Sequence, residues 1–236
     1  MEEDTWRAWE EGFREILSNL DDDESLTGLL PGGSSLSRSE ETIELAFRAI
    51  DLDVTITHDI AEDTVQGSYA AACAAVPEAE NILFLYSKML AARLLFGPVK
   101  AREGVIGMDR LPRGRAASEY ERFRVRPFLI REMEGSAEDE LEDVVDTIGA
   151  RMLYGSGADW ALEAEPVQGI RIRVLYWNSE EGMAPGASIV YGEELLDTGV
   201  SAEDMKALTE VFINRLVLCY RKRTGKESRQ WESLYG

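Results

Sequence analysis

Two adjacent carboxylates, Glu180 and Glu181, close the segment Val174–Glu181 just after Trp177. Paired acids at the end of a strand can hold a hard cation or serve as acid and base. The plainer reading is a solvated loop, since neighbouring side chains on an extended chain point apart. Asp159 is the further carboxylate that a catalytic version of this site would recruit. A second constellation is cationic. From Lys88 to Arg131, eleven Lys and Arg residues stand against four acids, a local balance of +7 in a chain whose net charge is −20. Arg110, Arg113, Arg115, Arg122, Arg124 and Arg126 form its centre. Guanidinium forks match carboxylate and phosphate bidentately, and Gly107 and Gly114 would let a ligand approach the backbone. Arg113, Arg115, Arg122 and Arg126, with Trp177, are the candidate binding residues, and Glu180 and Glu181 the candidate metal ligands. The competing reading has these arginines neutralising acids elsewhere, notably Glu138, Asp139, Glu140, Glu142 and Asp143.

Other chemistries are poorly served. The single histidine, His58, ends an apparent strand beside Asp59, where a half-buried structural role is ordinary. One histidine and two cysteines cannot assemble a Cys/His zinc site of ordinary ligand number. Cys73 and Cys219 lie in separate apolar contexts and read as small buried hydrophobes. No serine has a base or an elbow motif near it. Gly104-Val105-Ile106-Gly107 and Gly155-Ser156-Gly157 lack the spacing of a phosphate loop.

The elements that must position these residues are legible from periodicity. Trp6, Trp9, Phe13, Ile16, Leu17 and Leu20 recur at helical spacing behind Asp4 or Thr5 as N-cap. Asp21–Glu24 and Pro31–Ser35 read as a mobile connection. Ile43, Leu45 and Phe47, then Ile50, Leu52, Val54 and Ile56, alternate with polar residues and predict an antiparallel pair of strands, with a helix over Glu40 to Ile50 as the alternative on propensity. Pro77 opens an apolar helix to about Phe96, where Gly97-Pro98 stops it. Ser118 with Glu121, and Ser136 with Asp139, fit capping boxes of two further helices, the first kinked by Pro127. Ile170, Ile172, Val174 and Tyr176 form another strand with Arg171 and Arg173 on its wet face, and Ser188–Tyr191 a short one. Ser201 with Asp204 caps a long last helix with Met205, Leu208, Phe212, Leu216 and Cys219 as its core stripe. Trp6 and Trp9, and Trp231 with Tyr235, are candidate partner anchors, although such aromatics are more often core.

These patterns predict an α+β protein, a small and mainly antiparallel sheet packed with several helices in one main domain. The expected divisions are residues 1–36 for an N-terminal helix and mobile connection, 37–222 for the core and 223–236 for a flexible tail. With 44% hydrophobic and 30% charged residues over 236 positions, a packed core is expected. The acidic start, Met1–Glu11, lacks the basic and apolar regions of a signal peptide, and Ile82–Phe96 is too short and too charged for a membrane span. The expectation is cytoplasmic, without membrane or nucleic-acid partners, because so acidic a surface repels phosphate and anionic lipid.

Several segments are similar to DUF3786, a family known only as a domain of unknown function. Asn81–Tyr86 resembles its apolar helix, Arg110-Leu111-Pro112-Arg113-Gly114 its Leu-Pro-Gly turn, and Tyr120, Phe123, Arg126 and Pro127 its aromatic-Arg-Pro helix. Ala158-Asp159 looks like its Gly-Asp pair. Val174–Glu181, ending at Pro185, resembles its strand into a Trp-led acidic loop, and Val200–Asp204 the start of its last helix. The resemblance runs from about Ile43 to Leu218 and departs from the pattern at Asn178-Ser179 and Gly182-Met183-Ala184. It implies an intracellular setting in anaerobic bacteria and archaea, sometimes beside iron-sulfur or corrinoid one-carbon functions, and brings no established activity or cofactor.

The functional expectation is therefore a non-catalytic accessory or binding module for an anionic small molecule, a cofactor or a protein partner in anaerobic metabolism. The alternative is a cofactor- or metal-dependent enzyme of anaerobic one-carbon, corrinoid-linked metabolism that uses Glu180, Glu181 and Asp159.

Overall fold

A computed structural model describes residues 8–19, 23–71, 73, 79–228 and 233–234. The proposed caps Asp4 and Thr5, the helix-opening Pro77, and Trp6, Leu20, Trp231 and Tyr235 lie outside them. The alternating segment folds as two of the four strands of an antiparallel sheet: β1 (Ser35–Arg38), β2 (Thr42–Ala49), β3 (Leu52–Asp59) and β4 (Thr64–Ala71), in that order. Ile43, Leu45 and Phe47 on β2 and Leu52, Val54 and Ile56 on β3 are buried, as period two requires. Ala49 pairs with Leu52, which leaves Ile50 and Asp51 as a two-residue turn. Ile50 has φ +55. A β-branched residue in that region carries strain of about 1–3 kcal/mol. It is held there by burial of its own side chain and by the partners of Asp51 described below.

Helix α1 (Ala8–Ser18) packs on α3 (Ala79–Phe96) and β4, burying Trp9, Phe13, Ile16 and Leu17. Between them in sequence lies the short α2 (Asp23–Thr27). Helix α3 is apolar nearly all round because it is central: it touches β2 of the first sheet and β7 (Trp160–Val167) of a second. The second sheet is antiparallel, in the order β5 (Val105–Ile106), β9 (Gly186–Gly192), β8 (Ile170–Trp177), β7, β6 (Ala150–Met152). The α+β class is as expected, with its strands divided between two sheets.

Helices α4 (Arg115–Tyr120) and α5 (Arg126–Glu132) are joined without a break by a π-turn, Glu121–Val125. Pro127 does not interrupt the helical run. It falls at the start of α5, and the wider π-turn precedes it, so its missing N–H costs little there. Both predicted caps move. Ser118 lies inside α4, whose cap is Gly114; a Cβ on Gly114 would sit 2.0 Å from the Met108 carbonyl oxygen. Helix α6 (Glu138–Thr147) is capped at Ala137, whose N–H donates to Glu140 Oε2 at 3.1 Å. Ser136 is occupied otherwise: its hydroxyl accepts from Trp160 Nε1 at 2.8 Å.

The last helix, α7 (Ala202–Thr224), starts as predicted, with Ser201 Oγ accepting from the Asp204 N–H at 3.1 Å, and ends at Gly225 in the left-handed region, φ +70. Beyond it, Lys226 pairs with Glu140 at 3.0 Å, and Leu234 is buried with its N–H donating to Asn214 Oδ1 at 3.1 Å. No described helix is long and apolar enough to cross a membrane.

Candidate functional site

The arginines of the basic stretch divide by what they touch. Arg126 grips Glu121: Nε and Nη2 donate to Oε1 at 2.9 and 2.6 Å. Glu121 is buried, and its other oxygen accepts from the Tyr191 hydroxyl at 2.7 Å, which also meets Thr209 Oγ1 at 2.9 Å. Burial, and then the Glu121 charge, push the Tyr191 hydroxyl up, so it stays a donor. Arg126 is thus the counter-ion of a buried carboxylate. Arg115 lies one helical turn before Glu119 at 3.4 Å, both exposed, a pairing worth at most a few tenths of a kcal/mol.

Arg122, Phe123 and Arg124 are three successive exposed residues on the π-turn. The Arg122 guanidinium stands 4.7 Å from the centre of the Phe123 ring, and Phe123 is 67% exposed. Arg124 reaches the Leu234 carbonyl at 3.4 Å. Arg110 and Arg113 are exposed, and Arg113 takes φ +60 just before the Gly114 cap. The acids of α6 draw their cations from elsewhere: Asp143 from Arg223, and Glu140 from Lys226.

The acidic loop is built by local hydrogen bonds. Trp177 Nε1 donates to the Gly157 carbonyl at 3.0 Å. Asp159 Oδ2 accepts the Asn178 N–H at 2.5 Å, and Asn178 in turn reaches Gly135 N at 2.8 Å and the Ser136 carbonyl at 3.1 Å. Asp159 therefore serves the turn. Glu180 and Met183 exchange backbone hydrogen bonds of 3.2 and 2.9 Å, and Glu180 and Glu181 are both exposed. His58 is buried, with Nε2 at 3.1 Å from Asp63 Oδ1.

A second constellation was not foreseen. Asp51, Cys73 and Cys219 bring one carboxylate oxygen and two sulfurs within 4.8 Å of one another, the one such group of His, Cys, Asp and Glu donors among the described residues. Glu180 and Glu181 are not part of it. Asp51 comes from the β2–β3 turn, Cys73 from just past β4, which pairs with β3, and Cys219 from α7. The Cys73 N–H donates to Asp51 Oδ1 at 2.9 Å, and the Cys219 thiol lies 3.6 Å from Asp51 Oδ2. Arg215, one turn before Cys219 and fully buried, closes an ion pair on the same oxygen. Burial first, then the neighbouring Cys73 and the Asp51 charge, push the Cys219 thiol well up, so alone it is a protonated thiol and not a nucleophile. A cavity of about 490 Å³ opens on the two cysteines, with Asp143, Thr147, Lys222 and Arg223 at its walls, and Lys222 donates to the Cys73 carbonyl. The sequence signal was the spacing of Arg215, Cys219 and Lys222, which puts them on one helix face. Nothing in the spacing announced that Asp51 and Cys73 would meet that face.

A larger groove of about 730 Å³ crosses the first sheet between Gly32, Arg48, Thr55, Tyr69 and Asp146. Neither cavity is lined by an arginine of the basic stretch.

Comparison with known proteins returns one family model, described as Domain of unknown function (DUF3786), over residues 77–215. The match holds the basic helices and the acidic loop, and leaves outside it the first sheet and all three members of the Asp51, Cys73, Cys219 group. No curated protein and no solved structure matches the chain.

Proposed function

Because the chain belongs to the DUF3786 family, whose description carries no activity, we propose its function from its own residues: a binding module that docks an acidic protein partner. The docking surface is the π-turn with Arg122, Phe123 and Arg124, extended by Arg110 and Arg113. The observation that carries this reading is Phe123, 67% exposed with a guanidinium over its ring. An aromatic side chain held in water by its neighbours forgoes about 1.5–3 kcal/mol of burial. A partner's surface recovers it, and aromatic and arginine side chains are the ones enriched where interfaces gain most of their energy.

Charge supports the choice of partner. A chain of net charge −20 repels an acidic protein everywhere except at its positive stretch, so the approach is oriented before contact. The arginines stand on an exposed helical surface and outside both cavities, which favours a partner of protein size over the small anion or cofactor that the sequence left open. Arg126 and Arg115 are not part of the proposed contact, since each already faces a carboxylate of its own chain.

The test is photo-crosslinking in the native host with a crosslinker placed at Phe123 or Arg113, followed by binding measurements with the purified partner. The expected partner presents an acidic patch at the crosslink, and its affinity falls at least tenfold in Phe123→Ala and steeply with salt. Equal binding by wild-type protein, Phe123→Ala and Arg113→Ala, all folded, would overturn the proposal.

A further inference from the structure

Asp51, Cys73 and Cys219 are not among the residues of the proposed docking surface, and the arginine that meets them, Arg215, lies outside the basic stretch. We infer that they form a binding site for a thiophilic divalent cation of the zinc type, with two thiolates and one carboxylate as ligands and a fourth position facing the cavity.

Distance comes first. Three donor atoms no more than 4.8 Å apart fit within a circle of radius about 2.8 Å, whereas zinc holds sulfur at about 2.3 Å and carboxylate oxygen at about 2.0–2.2 Å. Each donor needs to move by well under 1 Å, within the reach of a χ1 adjustment. Donor chemistry agrees: two sulfurs select a borderline or soft cation over calcium or magnesium, and an oxygen as third ligand is common at zinc.

The surroundings supply what ligands need from behind. The carboxylate of Asp51 is oriented by Arg215 and by the Cys73 N–H at 2.9 Å, and Lys222 fixes the Cys73 carbonyl. Such outer hydrogen bonds aim first ligands and raise affinity. Charge also closes. Binding displaces one proton from each thiol, M²⁺ + 2 RSH → M(SR)₂ + 2 H⁺, so that two thiolates, one carboxylate, the Arg215 guanidinium and a dication sum to zero, with the Lys222 ammonium outside the ligands adding one positive charge. A disulfide between the cysteines would use neither the third donor nor the open cavity, and it would need an external oxidant; the cation uses all three donors and needs none. Three protein ligands with one position open to a cavity of about 490 Å³ is the arrangement in which a cation takes a further ligand from solution.

The experiment uses the full chain, reduced and stripped with a chelator under anaerobic conditions. Cobalt(II) is titrated as a spectroscopic probe and then displaced with zinc. Expected are a thiolate-to-cobalt charge-transfer band saturating at one equivalent, its loss on adding zinc, about two protons released per cation, and a raised Tm. Cys219→Ser and Cys73→Ser, each checked by circular dichroism, should weaken cobalt binding at least a hundredfold. Asp51→Asn is compared only if it folds, and the serine variants decide the question without it. The inference fails if folded wild-type protein gives no charge-transfer band, if the band survives either serine variant, or if freshly isolated protein holds the two cysteines as a disulfide with no thiols to titrate.

Discussion

The ion pair of Asp51 and Arg215 offers the sharpest quantitative test of the fold. Both side chains are at most 1% exposed, and the pair ties the β2–β3 turn, with its strained Ile50, to the middle of α7. Arg215→Met keeps an apolar stem of similar length and leaves the Asp51 carboxylate buried with the Cys73 N–H at 2.9 Å and the Cys219 thiol at 3.6 Å. Removing one partner of a buried pair costs about 3–5 kcal/mol, most of it the desolvation of the charge left behind. For a chain of this length about 2–4 °C of Tm accompanies each kcal/mol, so the loss is about 6–20 °C. Asp51→Asn removes the carboxylate that faces Arg215 and should cost a similar amount. The double variant, Asp51→Asn with Arg215→Met, has neither charge of this pair left. It should therefore be more stable than the sum of the single losses by about 2–3 kcal/mol. The assay is urea unfolding of all four proteins with chelator present, so that bound metal adds nothing. Single losses below about 1 kcal/mol, or strict additivity in the double variant, would refute the reasoning.

Further outcomes follow from other contacts. On β7, burial would raise the Glu163 carboxyl, but hydrogen bonds from Arg151 at 2.6 Å and Arg173 at 2.7 Å, with the charge of Arg171, hold it below the ordinary carboxylate range. A lowered folded value means stability present above the unfolded pKa and lost as pH falls through the folded one, so the loss sets in below about pH 4. Glu163→Gln should cost about 1.5–3 kcal/mol at pH 7 and flatten the Tm profile on that acid limb. Tyr191→Phe removes the donor to Glu121 at 2.7 Å and should cost about 1.5–3 kcal/mol in chemical unfolding. Affinity for the proposed partner should change far less than in Phe123→Ala, since Tyr191 is buried away from solvent. Gly114→Ala forces a Cβ to 2.0 Å from the Met108 carbonyl and should destabilise by at least about 1–3 kcal/mol, against a change within about 0.5 kcal/mol for Ala116→Ser on the exposed side of α4.

Local pattern alone determined a good deal of this protein. The alternation from Ile43 to Ile56 gave two paired strands, since period two leaves one buried face and one register. Ser201 and Asp204 marked the start of α7, because an N-cap is satisfied by residues within one turn. Helix starts were less legible where a tertiary contact competed for the cap: Ser136 fits a capping box by spacing, yet its hydroxyl is taken by Trp160 from another strand. Only the tertiary structure decided which polar residues act together. Arg126 belongs to a basic run in sequence but to a buried carboxylate in space. Asp51, Cys73 and Cys219 are 22 and 146 residues apart along the chain and share one site because β3, β4 and α7 bring them to the same end of the first sheet. Periodicity reports which face of an element is buried; which partner that face meets depends on contacts between elements far apart in sequence, and the chemistry of this protein is set by those contacts.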